Sequence, residues 1–354
     1  MLNVRKWLLI SAGAMLAGQT SGAAPSAEAP PSYPALNYDM TSRAPRIPPS
    51  EKDLQTAIAE PWFTITDKTA VPGGIDKKVF IEGGVFDRQG NLLFAELYSG
   101  RVMRLSPDRD LTVILPKNPS GPAGLGVHKD GRIFVAAVGD LSQGGSVFTI
   151  RSDGSNKQVI VDPRGGYIPD DIALDSHGGF YFTDVRGNNA DPSGGVFYVA
   201  PDMKTITRIM THMSMPNGIA LSADGKTLWV GETGRSLLHR IELSAPTQIA
   251  PFGTTVPYHF TGGRPDGVRL DADGNVYVAL IEEGRIIVFD PKGIPIGQIL
   301  MPERDRGEFL YTSSLAIKPG TRELYILSND YYSGHKAAIY RVGAFTNGTN
   351  FLAP

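Results

Sequence analysis

The chain has 354 residues, 41% of them apolar, with a formal net charge of −2, 41 glycines, 27 prolines and no cysteine. Such a balanced charge lacks the basic stripe of a nucleic-acid binder. The missing cysteine excludes disulfides, thiolate metal sites and a cysteine nucleophile.

Arg5 and Lys6 precede an apolar run from Trp7 to about Ala17, and Ser21, Gly22, Ala23 and Ala24 follow. That order is the pattern of a secretory signal, so residues 1–24 are read as a removed signal peptide and the protein as exported, periplasmic or secreted. The apolar run is shorter than the roughly 20 residues of a stable membrane span; an uncleaved anchor is the alternative. Residues 25–61 are rich in Pro, Ala and Ser and show no periodicity, as expected of an N-terminal arm.

Residues 62–354 carry an internal repeat. Short alternating segments recur, each built around a glycine turn, from Asp87-Arg-Gln-Gly90 to Lys318-Pro-Gly320. The marker glycines Gly90, Gly131, Gly178, Gly225, Gly274 and Gly320 lie 41, 47, 47, 49 and 46 residues apart, a period that signifies an array of supersecondary units. Asp-Gly between alternating apolar runs is a hairpin signal, and a second hairpin follows in units such as Gly284-Arg-Ile-Ile-Val-Phe. Two hairpins in each of six units predict an all-β fold, a six-bladed β-propeller with four-stranded antiparallel blades. Residues from Trp62 to Ile81 are expected to close the ring with the C-terminal residues.

Because the first strand of each blade lines the channel, equivalent positions at its start face one mouth. Counting back about eight residues from each marker glycine gives Glu82, Ala123, Asp170, Asn217, Asp266 and Thr312. Asp and Asn could simply cap turns, but a Glu and three such residues at one register suggest convergence. Crowded carboxylates repel one another, and a hard divalent cation that prefers oxygen ligands relieves the repulsion. Glu82, Asp170, Asn217 and Asp266 are therefore the candidate ligands of one divalent metal ion.

Four motifs carry a resemblance: Glu82-Gly-Gly-Val-Phe-Asp, Pro169-Asp-Asp-Ile-Ala-Leu-Asp, Pro216-Asn-Gly-Ile-Ala-Leu-Ser and Pro265-Asp-Gly-Val-Arg-Leu-Asp. In this order and spacing the chain, over about residues 70–343, resembles the senescence-marker-protein/gluconolactonase/luciferin-regenerating-enzyme family. The resemblance implies a six-bladed propeller with one divalent metal on the axis, and many members hydrolyse lactones. It places the family's metal-binding Glu on Glu82, its Asn on Asn217 and its Asp on Asp266. The family's Pro-Asn-Asp motif falls on Pro169-Asp170-Asp171, where Asp170 replaces an Asn, and Ile168 stands where sugar-lactone members carry an Arg. That replacement leaves room for a more apolar ring.

The function expected is opening of a lactone by metal-activated water, with Ca²⁺ as the first choice of ion and Zn²⁺, Mn²⁺ or Mg²⁺ as others. Asp266 is the candidate general base, and Asp170 is its rival as base or a further ligand. Ile168, Tyr167, Tyr98, His259 and Tyr331 are candidates to contact the substrate, although loop aromatics often only pack. The alternative is a non-catalytic propeller that binds a small ligand, a glycan or a protein. No Gly-x-Ser-x-Gly elbow occurs, and the six histidines show no zinc-binding helical pair.

Overall fold

The computed structural model describes residues 45–75, 78–141, 144–331 and 336–349. The signal-peptide reading of residues 1–24 and most of the expected arm lie outside them. Among the described residues no helix is long and apolar enough to cross a membrane.

Six sheets succeed one another along the chain, with strands in sequence order from the axis outward except where N-terminal strands join the outer edges of blades 5 and 6. In the first blade these strands are Ile81–Phe86, Leu92–Glu96, Arg101–Leu105 and Leu111–Leu115, all antiparallel. The innermost strands of the other blades are Pro122–Val127, Pro169–Leu174, Pro216–Leu221, Arg264–Leu270 and Tyr311–Ile317. Each touches the next, and the sixth returns to the first, so the fold is the six-bladed β-propeller that the repeat predicts. Alternating side chains point to opposite faces of each blade, and in this fold both faces are covered. Leu93 and Val102 of blade 1, for instance, pack on Leu125, Val135 and Phe148 of blade 2, and comparable layers fill the other five blade boundaries.

Ring closure uses Glu60–Ile65, which pairs antiparallel with Ala337–Gly343 as the outer strand of blade 6. Just before it, Gln55–Ile58 adds a parallel fifth strand to Pro295–Leu300 of blade 5. The arm expected over 25–61 therefore gives way to sheet from Gln55 onward. These strands leave little trace in the sequence because they are sheet edges: Gln55–Ile58 is mostly exposed, and a solvated strand needs no apolar alternation.

All six innermost strands carry a register shift beside the predicted ring position, for example between Glu82 and Val85 and between Pro216 and Ile219. Bulges of this kind bend a strand and re-aim its side chains. Glycine permits the crowding at this level. Gly83 has φ +65°, and a Cβ there would fall 1.9 Å from the Ala123 carbonyl oxygen of the next blade.

Candidate metal centre

Glu82, Asp170, Asn217 and Asp266 come from four innermost strands and line one pocket at the mouth of the pore. Ala123 and Thr312, at the same register, carry no charge, and Ala123 belongs to the apolar layer around the mouth. All four polar residues are buried. The cavity is small, about 50 Å³, space for an ion and a few waters.

The electrostatics follow from burying like charges. Burial is the main reason Glu82 is held well above the usual carboxylate range, and Asp170, Asp266 and Asp171 push it further the same way. Asp170 is raised to about 8 by burial and then by Asp171. Asp266 also lies well above its ordinary value, through burial and then Asp170 and Asp171, with an Asn217 hydrogen bond and the Arg269 charge pulling it back. Within the ring, Asn217 Nδ2 donates to Asp170 Oδ2 at 3.3 Å.

Three desolvated carboxylates and an amide form the donor set a hard divalent cation prefers, and such an ion would offset both the burial and the repulsion that raise the three acids. Among the described residues no three His, Asp or Glu side chains form a compact ready-made metal cage. The donor chemistry and the shared pocket fit a divalent cation.

The substrate-contact candidates divide. Ile168 is buried in the apolar layer around the mouth together with Phe80, Ala123 and Tyr311, and Tyr98 and Tyr331 pack against that layer. Tyr98 meets the pocket-lining Phe80 edge to face at 6.0 Å. Its phenol is pushed up by burial first and then by Tyr331. Tyr167 instead turns into blade 3, packing edge-on against Phe182 and Phe197 at 5.6 and 4.8 Å. His259 is exposed on the outermost strand of blade 4, paired with Leu237. Three strand spacings of about 4.8 Å separate it from the innermost strand, so its closeness to Asp266 in sequence does not bring it to the mouth.

Sequence reading passed over the apolar wall formed by Phe80, Leu97, Val138, Leu141, Val185 and Tyr311. Leu97, Val138 and Val185 each follow the second strand of their blade and sit seven residues after the marker glycine, so the same repeat count applied forward would have found them. It also passed over the buried groups that hold the strand starts. Glu96, Asp184 and Glu232 accept backbone N–H bonds from Phe80, Ile168 and Ser214 at 3.5, 3.0 and 2.7 Å.

A six-bladed propeller with a buried ring of acids and an amide at its pore defines the class: an axial oxygen-donor site assembled from separate blades. The chain belongs to the SMP-30/Gluconolactonase/LRE-like family, whose region its residues 80–330 match. It is 44% identical over 320 residues to a protein named lactonase drp35 from Staphylococcus saprophyticus subsp. saprophyticus, covering 89% of this chain and 96% of that one. A lactonase drp35 of Staphylococcus aureus strain USA300 is 42% identical over 319 residues, with the same coverage. Among solved structures, a gluconolactonase from Xanthomonas campestris superposes with TM-score 0.61 at 21% identity, over 88% of this chain and 98% of that one. A calcium-binding protein, regucalcin, from Agrobacterium tumefaciens str. C58 superposes with TM-score 0.64 at 18% identity, over 83% of this chain and 98% of that one. At these identities the two structures bear on the fold alone.

Proposed function

We propose that the protein is a lactonase, an enzyme that hydrolyses cyclic esters at the pore mouth with the help of one divalent cation. The observation that carries this is the lining of a single buried pocket by Glu82, Asp170, Asn217 and Asp266, one from each of four blades. Relatives named lactonase over nearly their whole length support the reaction class. A bound divalent cation would supply Lewis acidity to the ester carbonyl and acidity to an attacking water.

The chain's own residues do the rest. Glu82, Asn217, Asp266 and Asp170 would hold the ion, and Ca²⁺ is the first choice because every donor is oxygen. Asp266 takes a proton as water adds to the carbonyl carbon, and the proton returns to the ring oxygen as the C–O bond breaks. Asp170 is the alternative base. Such a base works best with a pKa near the operating pH; burial holds both groups above the ordinary range without the ion, and a bound cation would draw them back down. The wall of Phe80, Leu97, Val138, Val185 and Tyr311 offers few hydrogen bonds, and Ile168 in the layer behind it offers no guanidinium. Both features favour a lactone with an apolar ring over a polyhydroxylated one. The pattern of residues 5–24 supports an exported enzyme.

The experiment is a hydrolysis screen over lactones of graded polarity, before and after chelation, with the Asp266→Ala variant alongside. Loss of turnover on chelation, its return with Ca²⁺, Mn²⁺ or Zn²⁺, and an inactive variant are expected. Hydrolysis that survives chelation would end the metal-assisted mechanism, and tight lactone binding without turnover would make the protein a binder.

A further inference from the structure

Immediately after each ring position the blades carry Gly83, Gly124, Asp171, Gly218, Gly267 and Ser313 in turn. The glycines are required by crowding: a Cβ on Gly218 would lie 2.2 Å from the Asp266 carbonyl oxygen, and one on Gly124 2.4 Å from that of Asp170. Blade 3 alone places a charged side chain in this layer, and Asp171 is buried.

Its bonds reach three blades. Asp171 Oδ1 accepts the Ile172 N–H at 2.9 Å, and Oδ2 accepts the Ile219 N–H of blade 4 at 3.1 Å. Arg269 of blade 5 grips both oxygens, Nη1 to Oδ2 at 2.7 Å and Nη2 to Oδ1 at 3.3 Å, while Nη1 also donates to the Val268 carbonyl at 2.8 Å. The Asp171 N–H donates to Thr183 Oγ1 at 3.1 Å, and that hydroxyl donates to the Asn217 carbonyl at 2.6 Å. Asp171 thus bonds donors on the strands that carry Asp170, Asn217 and Asp266, within three residues of each. Both its oxygens are engaged, so it is poorly placed to serve as a further ligand.

We infer that Asp171 and Arg269 are positioning residues that set the spacing of Asp170, Asn217 and Asp266, and through it the affinity of the pore for a divalent cation. The inference rests on the metal site proposed above. A second role for Arg269 makes the opposite forecast. A fixed positive charge beside a cation site weakens binding on Coulomb grounds, so a purely electrostatic Arg269 predicts tighter binding when it is removed. Positioning predicts weaker binding, and it also predicts that Lys, which keeps the charge but lacks the planar fork, restores little.

The test is calorimetric titration of chelator-stripped protein with Ca²⁺, and separately with Mn²⁺, for wild type, Arg269→Met and Arg269→Lys. Melting temperature in chelator is recorded alongside. Partners that orient ligands typically contribute 10–100-fold to metal affinity, so Kd should rise about ten-fold or more in both variants. Either variant binding as tightly as wild type, or more tightly, overturns the inference even if its melting temperature falls, since that is the signature of a merely structural role. Should Arg269→Met not fold, Arg269→Lys decides. Wild type that takes up neither ion defeats the metal-site proposal itself, and this inference with it; a binding wild type beside unaffected variants defeats the inference alone.

Discussion

Asn removes the charge of Asp170 with almost no change of shape, and Asp170→Asn should stabilise the metal-free protein in a pH-dependent way. The Asp170 carboxyl titrates near 8 in the fold, chiefly because it is buried and then because of Asp171, against about 3.9 in an unfolded chain. A folded pKa above the unfolded one means that the folded state holds the proton more tightly. Stability is therefore lost as pH rises from about 4 to about 8, and the loss levels off beyond that. One pKa unit corresponds to about 1.4 kcal/mol, so keeping Asp170 protonated in the fold, and then ionising it, would cost roughly 1–2 kcal/mol at pH 5 and about 5 at pH 8. Asn carries no such penalty and keeps an oxygen that can accept the Asn217 bond. The stability advantage of the variant in chelator should thus grow by roughly 3–4 kcal/mol between pH 5 and pH 8. Urea denaturation of both proteins at the two pH values measures it. With saturating Ca²⁺ the order should narrow or reverse, because a ligand that binds only the folded state stabilises wild type by mass action, and a neutral amide is a weaker donor to the ion than a carboxylate. A variant-minus-wild-type difference in chelator that stays constant from pH 5 to pH 8 would show that Asp170 is not ionising against its neighbours, and the view of the ring as a site of crowded charge would fail.

Two further outcomes test how the ring is held. Glu51→Ala should destabilise the fold by about 3–5 kcal/mol, the usual result of stripping one partner from a buried ion pair, because fully buried Arg285 meets Glu51 at 2.5 Å and Glu283 at 3.1 Å; a melting temperature unchanged within a degree would count against that. Gly218→Ala should lower stability and any metal binding together, since its Cβ would sit 2.2 Å from the Asp266 carbonyl oxygen; calorimetric titration beside a thermal melt reads both, and an unaffected variant would mean that the blades separate easily here.

The parts of this molecule that repeat were legible in its sequence. One marker glycine per blade gave the blade count, and one backward count from it led to Glu82, Asp170, Asn217 and Asp266, because a propeller carries equal register to equal height on the axis. What failed was inference from nearness along the chain. His259 stands seven residues before Asp266, but a strand crossing takes it to the rim of blade 4. Tyr167 is next to Ile168, but adjacent residues of an extended chain face opposite ways, and only Ile168 joins the apolar mouth. The Asp171–Arg269 pair shows the same limit from the other side. Asp171 and Arg269 lie 98 residues apart and carry types that would suit any surface, so no local pattern joins them. Their meaning comes from departure: Asp171 occupies a register at which four blades carry glycine. In a repeat protein, agreement among units reveals the scaffold, and the unit that breaks the agreement marks where the scaffold has been bent to a particular task.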